Sequence, residues 1–481
     1  MNGAAFEPLT SGLQTERRHF SILVYPFRSA FDQRAQIHPN QGNWRHLWSR
    51  FDDEAVRSFV DDTFFFLPHL REFLFTDAAA FTGQEADLSE MASRVRMASA
   101  KDVLRKTPKD VLVRLTLASE ILSVHNPFHL VAQDSVATPP MAFRVEWIDL
   151  FLFPQDVAFI AFKISVDPCD APSEHVRKLL CAIRPLFSPT VGIPLPKWRS
   201  ATGMNLEGRQ FVEFLLQGWT SVSTAGQADL ETFIQAVQGP NDRPYTLTGD
   251  GQTYGDAFRL YTFMALPEAE WTERSAAPFA TAWDRFVYEI ATTFPLTDPA
   301  FFPHSRAAAK FTDDMLTLWD NWRAAILADH VVFAARSDEF TSNVLSHNVE
   351  SDYFHLYMLS LFVKIRLNFF FGDLIQRNPS LLRNLFAARS IATSFIRFQN
   401  EFWFPEVTHK PQGSLLYDRF QSVHLNPSLY AELSEKINNL VSHLEQRYQL
   451  ATAVLIALLV APRTFQEIFE GILWLIDQAF R

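Results

Sequence analysis

Short apolar runs rich in β-branched and aromatic residues, which are typical of strands, recur in the first 270 residues. The run SILVYPF (residues 21–27) predicts a buried strand. The runs FRVEWIDLFLF (residues 143–153) and VAFIAFKISV (residues 157–166) flank the turn Pro154-Gln155-Asp156. Because a three-residue loop readily joins antiparallel strands, they predict a β-hairpin. RPYTLTGDGQTYGDAFRLYTFMAL (residues 243–266) predicts a strand, a glycine turn and a long strand. A phosphate-cradling loop at Gly249, Gly251 and Gly255 is the other interpretation, which a strand after the glycines disfavours because no helix N-terminus follows.

Helical periodicity lies between these strands. Residues 52–75 predict a helix with an apolar face supplied by VDDTFFFLPHLREFLF. SEHVRKLLCAIRPLF predicts a second helix, with Ser173 as its N-cap and one apolar side. That side consists of Val176, Leu179, Leu180 and Ile183.

From about residue 276 the apolar residues recur every three or four positions, which is typical of amphipathic helices. The pattern predicts helices over residues 277–291, 311–335, 352–375 and 380–404. The fold class is therefore α+β: an N-terminal mixed domain with an antiparallel sheet, followed by a long-helix, stalk-like C-terminal region. We predict a mixed domain over residues 1–272, a helical domain over 273–424, and a stalk-like helix with an apolar C-terminal helix over 425–481.

PSLYAELSEKINNLVSHLEQRYQ (residues 427–449) carries one apolar stripe. Its members Leu429, Leu433, Ile437, Leu440 and Leu444 are separated by four, four, three and four residues. This spacing suits the seam of a coiled coil or helical bundle. We therefore expect Leu433, Ile437 and Leu440 to lie in a contact between copies of the chain.

Residues 450–461 form an uncharged run of twelve residues with Thr452 as its polar member. As a helix it is about 18 Å long, whereas a bilayer core is about 30 Å thick. Three interpretations remain: a buried or intersubunit helix, an interfacial helix with Trp474 among lipid headgroups, or a membrane span. Contacts with another copy or with a membrane are expected at Leu455, Leu458 and Trp474.

The order of features in this region resembles the stalk helix and first transmembrane helix of CorA-type magnesium transporters. The matching residues are LYAELSEKINNLVSHLEQ, then AVLIALLVAP, Thr464-Phe465, Ile468 and Gly471. An α+β domain before a helical region also fits that family. The resemblance implies a homo-oligomer and a divalent cation as the ligand.

Two family features are missing. Gly471 is followed by Ile472-Leu473 where the family has its Gly-Met-Asn signature, and the sequence ends at Arg481 before a second span. The resemblance thus implies a degenerate relative, without a residue that carries ion selection.

The net charge and the number of cysteines limit the possible partners and the cellular compartment of the protein. The formal charge of −11 argues against a nucleic-acid partner, which requires a basic surface. Cys169 and Cys181 are expected to be free thiols in a reducing compartment. The N-terminal residues lack the apolar stretch of a secretory signal, so we expect a protein that is either cytoplasmic or peripheral to the inner face of the cell membrane.

The segment HNVESDYFHLY holds the densest group of candidate metal ligands, His347, Glu350, Asp352 and His355. On a helix His347 and His355 differ by about 80° in direction. A divalent-cation site at His347, Glu350 and His355 is one interpretation, and a polar helix start near Asp352 is the other.

The sequence leaves three functional hypotheses. The first is a non-enzymatic, CorA-like, self-associating protein that touches the membrane and senses a divalent cation or small ligand. The second is a soluble enzyme with a pocket between sheet and helices, and the third is a membrane-acting effector that exposes its last helix.

Overall fold

The computed structural model describes residues 19–28, 44–47, 63–75, 111–131, 141–155, 157–166, 172–186, 195–217, 257–267, 276–296, 299–381 and 385–479. Its regular elements confirm the predicted α+β class. They fall into two compact units, one made of Met1–Phe362 with Glu406–His424 and the other of Val363–Pro405 with Leu425–Arg481.

Twelve strands of the described residues form the sheet of the first unit. They are β1 (His19–Arg28), β2 (Trp44–His46), β3 (Val113–Leu117), β4 (Phe128–Val131), β5 (Met141–Leu152), β6 (Val157–Ser165), β7 (Lys197–Arg199), β8 (Asn205–Glu207), β9 (Arg259–Leu266), β10 (Leu316–Trp319), β11 (Trp322–Ile326) and β12 (His330–Arg336). The main order is β10-β11-β12-β9-β1-β6-β5-β4-β7-β8, with β3 also paired to β5 and β2 to β3. Only β9 and β12 are parallel among these pairs.

The α-helices of the described residues are α1 (Pro68–Leu74), α2 (Ser119–His125), α3 (Pro172–Ile183), α4 (Gly208–Gln217), α5 (Ala282–Thr292), α6 (Ser305–Asp314), α7 (Ser346–Glu350), α8 (Asp352–Leu381), α9 (Leu385–Phe402), α10 (Pro411–Val423) and α11 (Asn426–Ala479). A 3-10 turn spans Pro299–Phe301, and a π-helical turn, Thr341–Leu345, leads into α7.

Both faces of the sheet are covered. On one face, apolar residues of β5 and β6 form the main core with α3, α4 and α5. On the other face the first turns of α8 lie against β5 and β9: Phe151 and Tyr261 contact Phe354, and Phe153 stacks on Phe362 with ring centroids 4.7 Å apart. A sheet covered on both faces explains why β5 and β6 are nearly continuous apolar runs.

The predicted hairpin is confirmed as β5 and β6, which are antiparallel and pair Leu152 with Ala158. The strand predicted from Ser21 is β1, in the middle of the sheet. The apolar side predicted for α3 is buried throughout, although the helix begins at Pro172 and so includes Ser173.

The predicted continuous helix over residues 311–335 is wrong. Only α6 is helical there, and β10, β11 and β12 follow it and join the sheet. Asp320-Asn321 and Ala328-Asp329 lie at the two reversals of the chain between these strands. The strand β12 pairs with β9 from Leu260 to Leu266, so tertiary pairing overrides the apparent helical period.

Residues 63–75 of the predicted helix over residues 52–75 are described: Thr63 is helical, residues 64–67 are not, and α1 follows from Pro68. The glycines at 249, 251 and 255, and Cys169, lie outside the described residues. The predicted helices of the last part of the chain are present as α8, α9 and α11.

Candidate functional site

A charged cluster lies on the face of the sheet that α7 and α8 cover. The Lys163 Nζ atom is 2.6 Å from Glu146 Oε2 and 2.7 Å from Glu350 Oε2, and its side chain is 2% exposed. The Trp147 indole N–H donates to Glu350 Oε1 at 3.2 Å. Glu350 therefore joins the sheet to the end of α7 through an ion pair and a hydrogen bond.

A second ion pair lies beside it on β3 and β5. The Arg114 guanidinium donates to Asp149 Oδ2 at 2.5 and 2.8 Å, and Asp149 is fully buried. Arg114 Nη1 also lies 3.1 Å from His355 Nε2. Because a guanidinium only donates, Nε2 must accept, and Nδ1 of His355 must carry the proton that it donates to the Ser351 carbonyl at 2.7 Å. His355 is thus held as one neutral tautomer.

Two of the three predicted metal ligands take part in these contacts. Glu350 pairs with Lys163, His355 binds Arg114, and His347 is exposed on α7. Among the described residues, no group of three or more His, Cys, Asp or Glu side chains could hold a metal ion. The geometry fits a polar clamp that attaches α7 and α8 to the sheet.

Sequence reasoning did not identify Arg114, Asp149 or Lys163 as partners of this segment. The available signal was the charge inside apolar strands, since Asp149 and Lys163 interrupt runs that are otherwise apolar. Arg114 and His355 are 241 residues apart, so no local spacing indicates their contact.

A buried chain of hydrogen bonds crosses the opposite face of the sheet. It runs from His19 Nε2 to Ser21 Oγ (2.9 Å), Thr262 Oγ1 (2.9 Å), His330 Nε2 (3.0 Å), and from His330 Nδ1 to the Ala291 carbonyl (3.0 Å). Burial is the main cause that lowers the pKa of His330 to about 3, so its ring is neutral at pH 7.

The Ala291 carbonyl sets the direction of this chain. It can only accept, so Nδ1 of neutral His330 donates to it and Nε2 accepts from Thr262. Thr262 in turn accepts from Ser21, which accepts from the N–H of His19. His19 therefore donates to Ser21, the reverse of what a base activating a serine nucleophile would do.

The last helix, α11, exposes apolar side chains to solvent, unlike the two buried polar groups described above. The helix α11 is continuous over 54 residues, about 80 Å, and includes the whole uncharged run from Leu450. Residues 452–456 are all exposed, which at about 100° per residue is more than a full turn. The exposed apolar side chains are Tyr448, Leu450, Val454, Leu455, Ile456 and Trp474, each 54–66% exposed.

The stripe predicted near the start of α11 is covered within its own unit. Leu433 and Ile437 are buried and Leu440 is half-buried. In this stretch the Tyr430 ring lies 4.3 Å from that of Trp403 and 5.6 Å from that of Phe395 on α9. Leu433 and Ile437 thus contribute to a contact within one copy of the chain.

The spacing of that stripe continues beyond the part that α9 covers. After Leu444, positions separated alternately by three and four residues are apolar to the end of α11 except Arg447. They are Ala451, Val454, Leu458, Ala461, Phe465, Ile468, Ile472, Leu475 and Ala479. The predicted contact residues Leu455 and Trp474 are exposed, while the description of Leu458 is limited to its backbone position in the helix.

Charged residues of the same segment follow a separate stripe. Arg463, Glu467, Glu470 and Asp477 are separated by four, three and seven residues, which brings their positions to one side of a helix. Val454 is nine residues before Arg463 and so occupies the opposite side. The segment is amphipathic, with a broad apolar side and a narrow charged one.

One helix among the described residues has the length and apolarity of a membrane span. This helical stretch runs from the π-helical turn at Thr341 through α7 and into α8 as far as Leu374, and 83% of its most apolar 18-residue window is buried. Buried core helices have the same composition. This helix is not the one that the sequence indicated at residues 450–461.

Comparison with protein-family models, curated proteins and solved structures gave no match. The exposed apolar side of α11 is therefore the candidate functional surface on geometry alone.

Proposed function

We propose that this chain is a non-enzymatic assembly protein, in which the apolar side of α11 binds the same helix of other copies. The observation that carries the proposal is the full-turn exposure of the apolar residues around Val454 and Leu455. A helix that is apolar over most of its circumference is normally buried in a core or in lipid. The CorA-like order of a stalk helix followed by an apolar segment is consistent with self-association, and we include a CorA-like architecture in the proposal.

The stripe on α11 supports helix-to-helix contact. Its first part is already buried within the chain at Leu433 and Ile437, and the same spacing continues where α9 no longer covers the helix. Apolar positions at alternating intervals of three and four form the seams of helical bundles. Copies of α11 that meet along this stripe would cover Leu450 and Val454, which are exposed in a single chain.

Length and charge favour other copies over a bilayer as the covering partner. The uncharged segment between Arg447 and Arg463 contains fifteen residues, about 22 Å as a helix, while a bilayer core is about 30 Å thick. Arg463, Glu467 and Glu470 come next in the sequence and occupy the side of the helix opposite Val454. In a bundle that is packed through the apolar stripe, this side would face water. An ionised side chain near the centre of a bilayer costs at least about 2.5 kcal/mol.

The test measures the mass of the full chain in solution beside two variants. The first variant carries Leu450→Gln and Val454→Gln on the apolar side. The control carries Thr452→Gln, eleven residues before Arg463 and therefore on the charged side. The three replaced residues are all exposed, so folding of the single chain is unchanged by either variant.

We expect the parent chain and the control to form the same oligomer and the Leu450/Val454 variant to dissociate. A monomeric parent chain that binds vesicles through Leu450 and Val454 would show that lipid covers this surface, and the proposal would be wrong. Equal oligomers in all three proteins would also contradict it. His347, Glu350 and His355 carry no part of this proposal, since Glu350 and His355 are engaged in the polar clamp.

A further inference from the structure

The turn between β7 and β8 presents an exposed threonine hydroxyl. The Ser200 carbonyl accepts the Gly203 N–H at 3.0 Å, and Gly203 has a positive φ of 87°, which closes a tight turn. Ala201, Thr202 and Gly203 are all exposed. A Cβ atom added at Gly203 would meet nothing within 4 Å apart from its chain neighbours, so the tip of the turn is open to a partner.

An imidazole lies against this hydroxyl. Thr202 Oγ1 is 2.8 Å from His125 Nδ1, at the end of α2, and 2.9 Å from Ser200 Oγ. The turn is attached to α2 a second time, because the Ala201 N–H donates to the His125 carbonyl at 2.9 Å. These two bonds hold the Thr202 side chain beside the imidazole.

The surrounding backbone does not make this hydroxyl a catalytic nucleophile. A nucleophilic hydroxyl needs donors that are aimed at the oxyanion it generates. Here the N–H groups of Ala201 and Gly203 donate to carbonyl groups, and that of Met204 donates to Ser200 Oγ at 3.1 Å. The hydroxyl is therefore suited to accept a group from another protein and not to turn over a substrate.

The strand before the turn supplies a cation. Arg199, the last residue of β7, is exposed and lies three residues before Thr202. Its two cross-strand neighbours in the sheet are His129 and Asn205, neither of them acidic. Glu207, the acidic residue of β8, lies opposite the other cation of β7. The side chains directly opposite Arg199 therefore do not neutralise it.

We propose that Thr202 is a phosphorylation site for a protein kinase that selects an arginine three residues before the acceptor. Kinases distinguish their substrates by such patterns of charge around the hydroxyl. In the transfer, Thr202 Oγ1 forms a bond to the γ-phosphorus of ATP, the bond from that phosphorus to the β–γ bridging oxygen breaks, and ADP leaves. The hydroxyl proton passes to a carboxylate of the kinase.

The phosphate would replace the hydroxyl in the contact with His125. A phosphothreonine carries about −1.5 to −2 charges at pH 7 and has strong acceptor oxygens. An N–H at Nδ1 of His125 can donate to one of these oxygens, which forms a charge-assisted hydrogen bond. The site belongs to the first unit, and the proposal does not depend on the assembly of α11.

The test incubates the folded full chain with ATP and a purified protein kinase of this selectivity, and mass spectrometry locates the phosphate. Thr202→Val removes the acceptor and Arg199→Gln removes the cation, both at exposed positions. A matched control is present in the same chain. Ser422 is exposed and has Arg419 three residues before it, but on the helix α10, where Arg419 donates to the Asp314 carbonyl at 2.7 Å.

We expect phosphate at Thr202 and little at Ser422, and none at position 202 in Thr202→Val. Incorporation in Arg199→Gln is slower by on the order of tenfold, because one charge-assisted contact with the kinase is lost. In NMR spectra the ring resonances of His125 move on phosphorylation, whereas those of His443, at an exposed position of α11, do not.

Three results would overturn the proposal. They are a folded chain without phosphate at Thr202, incorporation that is unchanged in Arg199→Gln, and ring resonances of His125 that do not move in the phosphorylated chain. Equal rates at Thr202 and Ser422 would show that spacing alone selects the acceptor, which contradicts the structural argument as well.

Discussion

The Nε2 atom of His330 accepts a hydrogen bond from Thr262 Oγ1 at 3.0 Å, across the parallel pair β9 and β12. Both residues are fully buried, as is Ser21 on β1, which donates to Thr262. Side-chain hydrogen bonds thus join the three strands β1, β9 and β12, and each bond in this series has one defined donor and one defined acceptor. Its two histidines are the titratable groups that acid would have to charge.

The first prediction concerns stability below neutral pH. Burial lowers the pKa of His19 and of His330 from 6.5 to about 3. Between pH 6.5 and 3 the unfolded chain therefore binds more protons than the folded chain, so the free energy of unfolding decreases as pH falls. The slope is up to about 1.4 kcal/mol per pH unit for each histidine, and neither contributes above pH 6.5.

Denaturant unfolding between pH 7.5 and 4.5 measures this slope. His330→Gln is expected to reduce it, whereas the control His443→Gln, at an exposed position of α11, leaves it unchanged. A His330→Gln protein with the parent slope would contradict the assignment.

The second prediction concerns the ion pair of Arg114 and Asp149. Asp149→Ala leaves the guanidinium without its carboxylate at a site where Arg114 is 9% exposed. We expect the free energy of unfolding to fall by about 3–5 kcal/mol. Thermal or denaturant unfolding checks the value.

Two comparisons isolate the cause. The double variant Arg114→Met with Asp149→Leu removes both charges and is expected to lose less than Asp149→Ala alone. Lys436→Met breaks the exposed pair with Glu432, whose side chains are each 54% exposed, and should cost less than about 1 kcal/mol. If the buried and exposed single variants cost the same, Arg114 is not confined by the clamp as described.

The third prediction concerns Gly413, at the first turn of α10. A Cβ atom added there would lie 2.4 Å from Phe65 Cζ and 2.6 Å from Thr408 Cγ2. Gly413→Ala is therefore expected to lower the free energy of unfolding by about 1–3 kcal/mol through overpacking. The matched control is Gly471→Ala on α11, where an added Cβ atom meets nothing within 4 Å beyond its chain neighbours and the nearby backbone of its own helix, and where alanine favours the helix. Opposite changes in the unfolding midpoints are expected, and destabilisation of equal size by both would refute the steric argument.

The sequence predicts elements well where one physical signal dominates. The hairpin of β5 and β6 follows from two apolar runs and a short turn, and α3 follows from Val176, Leu179, Leu180 and Ile183. It fails at residues 311–335, where short apolar runs have both periods and pairing with the distant β9 selects strands. The end of α11 allows three interpretations because a sequence does not show which of its residues the folded chain leaves exposed.

The charged cluster could be predicted only in part. Glu350 and His355 stand out in the sequence, but their partners Lys163 and Arg114 come from strands far away in the chain. Spacing suggests a metal site because it reports candidate ligands and not the distant side chains that bind them in the folded chain. The contact between Thr202 and His125 likewise required the structure, since the two residues are 77 positions apart.

The most direct test of the proposed assembly is sedimentation equilibrium of the full chain in lipid-free buffer, over a wide range of concentrations. The account predicts a mass that is a multiple of the 55.1 kDa chain and that returns to 55.1 kDa when Leu450 and Val454 are replaced by glutamine. A parent chain that remains at 55.1 kDa at every concentration would contradict it.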